Sequence, residues 1–205
     1  MPDPDLQEAK RLIRLAGDLD GQGRYAEARS SYLAAEELLD GAPETPEREA
    51  ARALCLLRQA GVTCLADPTE DVRSLVAEGL LAAEQGGCLL EAARWLSVLG
   101  ARLVRIGRTD QALGCLGAAR EIFGAADDED GHQGLAWVAL ALGQIALVAG
   151  DAREAQEQAE LANQIFTDLG HMALAGAAAD LLITAEDTIM RERLGGDEFD
   201  QDLQL

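Results

Sequence analysis

The chain has 205 residues, of which 37 are acidic and 17 basic, for a formal net charge of −20. Such a field repels phosphate backbones and anionic head groups at long range, so nucleic acid and membrane are excluded as expected partners. Hydrophobic residues make up 48% of the chain but aromatics only 3%, so a core must be built from Leu, Ala, Val and Ile, a mixture suited to helices in close contact. β-Branched residues are sparse and no alternating run is long, which points to an all-α chain.

In chain order, the periodicity predicts helices over 5–22, 24–40, 46–65, 69–85, 88–106, 109–124, 132–149, 151–169 and 171–192. The start, Met1-Pro2-Asp3-Pro4-Asp5, is acidic and lacks the apolar stretch of a secretory signal or transit peptide, so a cytoplasmic location is expected. In the turn Asp67-Pro68-Thr69-Glu70, Asp67 or Thr69 is a candidate cap and Pro68 a candidate first helical residue. The most apolar stretch, 135–149, is interrupted by Gly143 and Gln144. It is shorter than the ~20 residues that span a bilayer and is expected to be a buried helix. Cys55, Cys64, Cys88 and Cys115 show no C-x-x-C spacing and are expected to be reduced, buried thiols. The organisation predicted is one helical domain over 1–194, with the last helix as a cap, and a flexible acidic tail over 195–205.

A pattern of small residues recurs along this framework: Ala16, Ala28 and Ala35; Ala60, Val72 and Gly79; Gly100, Ala112 and Ala119; Gly143, Ala155 and Ala162. In each set the spacings are twelve and then seven. A twelve-residue step carries the chain across a tight turn into the next helix, and a seven-residue step returns to the same helix face. Gly23, Gly107 and Gly150 each lie five residues before the second anchor, where glycine closes the preceding helix.

The segment Gly23-Arg24-Tyr25-Ala26-Glu27-Ala28, followed by Tyr32 and Ala35, resembles the core of a tetratricopeptide repeat. The likeness extends over 100–119 and 143–162, with Leu116 and Ala159 at the position of Tyr32, and is weak in the second unit. Second anchors recur at 44, 40 and 43 residues, longer than the usual ~34, so the chain is similar to the extended repeats of bacterial regulators and kinesin light chains. The resemblance implies a right-handed α-solenoid of antiparallel helix pairs, about four pairs plus a C-terminal capping helix.

Catalytic constellations are missing from the sequence. His132 and His171 stand far apart with no metal-ligand spacing, no glycine-rich phosphate loop follows a strand, and no serine elbow occurs. Gly195-Gly196-Asp197-Glu198-Phe199 matches the signature of diguanylate cyclases letter for letter. In that family the signature lies on a turn inside an α/β domain, whereas no strand pattern precedes it here and six residues follow Phe199. The expectation is a non-enzyme with no metal and no cofactor, a cyclase-related fragment being the remote alternative.

Arg94, Arg102, Arg105 and Arg108 are clustered in an otherwise acidic chain, and the spacing of the first three brings them close to one helix face. They are candidates to grip a carboxylate or to pair with acidic helices nearby. By the resemblance, the first helices of successive pairs line a concave groove that includes Leu57, Gly61, Arg94, Ser97, Ala101, Arg105, Trp137, Leu140, Gln144 and Val148. Trp137 is alternatively a packing residue between repeats. The function expected is a protein-interaction module or scaffold whose peptide or protein partner carries an acidic group beside an apolar anchor. The alternative is a regulatory sensor that binds a signalling peptide or small molecule and controls a separate effector.

Overall fold

The computed structural model describes residues 3–202, with side chains for 3–194. Among the described residues the chain is all-helical, without strands: α1 (Pro4–Gly21), α2 (Tyr25–Gly41), α3 (Pro46–Ala66), α4 (Arg73–Gly86), α5 (Leu89–Arg105), α6 (Thr109–Gly124), α7 (Glu129–Ala149), α8 (Ala152–Asp168) and α9 (Met172–Asp202). They form two compact units, Met1–Ile122 and Phe123–Leu205. Consecutive helices pack on one another inside each unit, which makes the fold helical-repeat-like.

Helix starts and stops follow local chemistry. Asp3 and Thr45 cap α1 and α3 by accepting from backbone amides, each with proline in the first turn. Gly23, Gly107 and Gly150 have φ of 74°, 78° and 84°, a region L side chains avoid. In all three turns the residue after glycine donates to a carbonyl five residues back: Arg24 to Leu19, Arg108 to Leu103 and Asp151 to Ala146, each at 2.9 Å. This satisfies carbonyls that the helix end would otherwise leave open.

Three boundaries differ from expectation. Helix α4 begins at Arg73, so Pro68 does not open it: the Asp67 carboxylate accepts from the Thr69 amide at 2.9 Å and its hydroxyl at 2.6 Å, folding 67–70 into a turn of its own. Helix α7 begins earlier, because Asp128 in the acidic run accepts from the Gly131 amide at 2.7 Å and acts as its cap. Helix α9 continues past 192 to Asp202, so part of the segment expected as a tail has helical backbone. Residues 203–205, and the side chains from 195 onward, lie outside the described residues.

All twelve anchor residues are buried. A Cβ built on Gly100 would lie 2.8 Å from Leu116 Cγ and 3.5 Å from the Ala112 carbonyl oxygen, and one built on Gly143 3.3 Å from the Ala155 carbonyl oxygen. Helix backbones therefore touch where the small residues recur. In the first unit α3 is central, packing on α1, α2, α4 and α5; its core joins Ile13, Ala16 and Leu19 of α1 to Tyr32, Ala35 and Leu39 of α2 and Cys55 and Val62 of α3. The second unit packs α8 against both α7 and α9 around Leu140, Ala159, Ala162, Phe166, Ala178 and Leu181. Helix α7 is long and apolar enough by composition to cross a membrane, and one side of it is committed to this core.

Candidate functional site

In the first unit, one face of α3 is tied to both α1 and α5 by side chains that cross between helices. Lys10 of α1 pairs with Glu47 at the start of α3. Two turns further along α1, Gly17 leaves room for Arg58: a Cβ there would lie 3.3 Å from Arg58 Nη1. The same guanidinium lies over the Trp95 ring of α5, 4.1 Å from its centroid, where the ring's negative face attracts a cation. Further on, Arg102 of α5 donates through Nη2 to Asp20 Oδ2 of α1 at 2.8 Å. That reach passes over Gly61 of α3, where a Cβ would lie 2.8 Å from Arg102 Nη1. The Asp20 and Arg102 side chains keep only 11% and 20% of their exposure, so their charge-assisted bond is shielded from solvent.

This crossing divides the predicted arginine cluster. Arg102 is turned toward α1, and Arg108 donates through Nη1 to the Glu70 carbonyl at 2.5 Å. Arg94 and Arg105 stay exposed. On α5 they form one row with Val98, which is 41% exposed, and Ala101. The opposite row of the helix, Ala92, Leu96, Leu99 and Leu103, is buried. Ser97 is half-buried, its hydroxyl donating back to the Ala93 carbonyl at 2.9 Å. The four exposed residues present two guanidinium groups around an apolar centre.

The remaining groove candidates divide between surface and core. Leu57 is fully buried, with its Cγ 2.9 Å from the place a Cβ on Gly79 would take, so it packs α3 onto α4. Gly61 is a site of close approach for Arg102 rather than an open surface. In the second unit Leu140 belongs to the core. Trp137 is 45% exposed while its ring meets Phe166 edge-on, centroids 5.6 Å apart, so it both packs and shows. Gln144 is exposed and Val148 is 91% exposed; with Trp137 they make a stripe along α7.

Asp20, Arg58 and Trp95 were not foreseen as part of this surface. The available signal is a pair of glycines inside helices, Gly17 and Gly61, outside the repeating anchor positions; each makes room for an arginine from a neighbouring helix.

The described residues include four cysteines and two histidines. No group of three His, Cys, Asp or Glu side chains there could hold a metal ion. Cys55, Cys64 and Cys115 are buried and Cys88 half-buried, all as free thiols. Burial pushes the Cys55 thiol up to about 12 and Cys115 to about 11, which suppresses the nucleophilic thiolate. His132 is exposed, while His171 stacks on Phe166 with centroids 6.5 Å apart and its Nδ1 lies 3.3 Å from Gln133 Nε2. The cyclase-like letters 195–199 fall within the helical backbone of α9, and their side chains lie outside the described residues.

No protein-family model matches this chain, and no curated protein matches it. Among solved structures, the crystal structure of BtubC (BKLC) from P. vanneervenii is similar to it with a TM-score of 0.57. The likeness covers 96% of this chain and 88% of that one at 19% sequence identity. At that identity it is the fold that is shared, a helical-repeat-like all-α arrangement.

Proposed function

We propose that this chain is a protein-interaction module of the tetratricopeptide-like kind, a right-handed array of antiparallel helix pairs closed by α9, which binds a peptide or partner protein on the side of α5 that faces away from the core. The observation that carries this reading is the exposed row Arg94, Val98, Ala101 and Arg105, set on a helix whose opposite row is buried. An apolar centre flanked by guanidinium groups suits a ligand with an acidic group next to an apolar anchor. The twelve buried anchors, the left-handed glycine turns and the likeness to a solved helical structure support the repeat architecture.

Preorganisation strengthens the reading. Trp95 and Arg102 are held by Arg58 and Asp20, so α5 is pinned along its length and a partner meets a surface that loses little freedom on binding. The global charge of −20 disfavours an acidic partner at long range, while the local cationic row favours its acidic group at contact. Partner capture with the wild-type chain and with a Val98→Asp, Arg105→Glu double variant tests this. The variant is expected to retain its circular dichroism spectrum and to lose the partner. If it retains the partner at wild-type affinity, the α5 surface is not the binding site.

A further inference from the structure

On a different side of the first unit, the junction of α2, α3 and α4 encloses a cleft of about 480 Å³ lined by Asp40, Glu44, Thr45, Pro46, Arg48, Glu49, Arg52 and Gln85. Its floor is an ionic pair taken out of water: the Arg48 and Glu49 side chains are each 10% exposed, with Nη1 2.5 Å from Oε1. Arg48 makes a second bond, its Nε donating to the Leu39 carbonyl at 2.7 Å. Glu49 Oε2 is buried and accepts no hydrogen bond among the described residues, a costly condition for a carboxylate oxygen that a donor would relieve.

The other charges leave the cleft short of positive partners. Arg52 lies between Asp40 and Glu78 at 3.9 Å and 3.8 Å, beyond hydrogen-bond length from either. Asp40 and Glu44 add two more carboxylates on exposed residues. The neighbouring Glu36 registers the same excess: its carboxyl is raised above the ordinary range by burial and then by the charge of Asp40, with Glu78 adding a smaller push. A metal ion does not answer this need, because no three carboxylate, histidine or thiol side chains among the described residues converge on one point. Carboxylates spread along a cleft suit a cation that is extended and carries several N–H donors.

We infer that this cleft is a binding site for an organic cation, a guanidinium or primary ammonium group, which donates to Glu49 Oε2 at its floor and to Asp40 and Glu44 at its mouth. The terminal torsion of a glutamate is soft, so the Glu49 carboxylate turns toward an entering donor while keeping Arg48. Arg52 closes one side of the cleft and disfavours cations that lack directed hydrogen bonds. The site involves none of the residues of the α5 row, so it stands or falls independently of the function proposed above.

Titration of the isotopically labelled full chain with agmatine, and separately with a capped tripeptide containing one arginine, tests the assignment by amide shifts in the NMR spectrum. Saturable shifts are expected at Thr45, Glu49 and Gln85, with both Asp40→Asn and Glu49→Gln weakening binding about tenfold or more. Asp40 is exposed, so its variant keeps the test valid if Glu49→Gln fails to fold. Equal affinity for both probes identifies the free cation as sufficient, whereas tighter binding of the peptide identifies a partner's side chain as the source. Absence of saturable shifts with either probe overturns the proposal. So does affinity unchanged in Asp40→Asn, or equal binding of butylurea, which has the hydrogen-bond donors without the charge.

Discussion

Both compact units pack helices through small residues, and the first adds long side chains that cross between helices. In the first, arginines reach across neighbouring helices to a tryptophan ring and an aspartate, passing over glycines that make way for them. In the second, alanines from α7, α8 and α9 close around Phe166, and Gly134 nests against the Phe123 ring at 2.3–2.5 Å from where a Cβ would stand. Small-residue packing fixes how near two helices come, but it puts no polar group on the surface. Crossing side chains fix a helix and also decide which charges remain outside. That is why the first unit has a shaped, charged surface and the second a largely apolar stripe along α7.

The strongest test of close packing is Gly86→Ala. A Cβ at Gly86 would lie 2.4 Å from the backbone nitrogen of Ala50, and backbone inside α3 has nowhere to yield. The gain of about 1 kcal/mol from replacing a helical glycine is outweighed, and we expect a net loss of about 3 kcal/mol or more in urea unfolding. A stabilised Gly86→Ala protein would show that α4 does not end against α3 as described. The anchors come next: Ala112→Leu in the first unit and Ala155→Leu in the second each fill a contact between helices and should lose about 1–3 kcal/mol. Similar losses in both would place the two units under one packing rule, while a loss in only one would confine the repeat to that unit.

The crossing charges provide a finer comparison. Asp20→Ala leaves the shielded Arg102 guanidinium without its partner and should destabilise by about 2 kcal/mol, less than the 3–5 typical of a fully buried pair because both groups retain some exposure. Lys10→Ala removes an ion pair whose side chains are 30% and 64% exposed and should shift stability by about 0.5 kcal/mol or less. Equal melting temperatures for these two variants would remove the distinction between them.

Alkaline pH should separate the units. All four cysteines and both tyrosines lie in the first unit. Burial pushes Cys55 from 9.0 to about 12, Cys115 from 9.0 to about 11 and Tyr32 from 10.0 to about 12, the last against the pull of nearby Arg58. These groups lose protons at the ordinary values when unfolded but hold them when folded. Their stabilisation is therefore complete below about pH 9 and is lost as pH rises through the folded values. Hydrogen exchange at rising pH, corrected for intrinsic rates, should show protection in α2 and α3 failing before protection in α8. The reverse order would contradict the burial of these groups. The smallest change in stability belongs to the α5 row: Arg105→Glu should lie within about 0.5 kcal/mol of wild type, so that any lost partner binding reports the surface and not the fold.

Helix number, type and most helix ends were legible in the order of residues because they depend on short-range chemistry. A glycine able to adopt positive φ at positions 23, 107 and 150, a capping side chain such as Asp3 or Thr45, and a small residue repeating on one helix face each act within a few residues along the chain. The misjudged ends had local rivals: Asp67 formed a turn with Thr69 in place of capping a helix, and Asp128 captured the Gly131 amide.

The fate of the charged and apolar candidates depended on neighbours distant in sequence. Nothing near Arg102 says that it leaves the company of Arg94 and Arg105 to meet Asp20, 82 positions away, and nothing near Leu57 says that it packs under Gly79. Periodicity assigns a residue to a helix face, but which faces touch is settled by the packing of several helices at once, and a side chain as long as arginine can serve either face. Composition and local pattern thus determined an all-α chain with glycine turns and small-residue contacts. Only the tertiary structure decided that Arg58 and Arg102 are spent on holding α5, that Leu57 and Leu140 are core, and that Arg94, Val98, Ala101 and Arg105 are the row left at the surface.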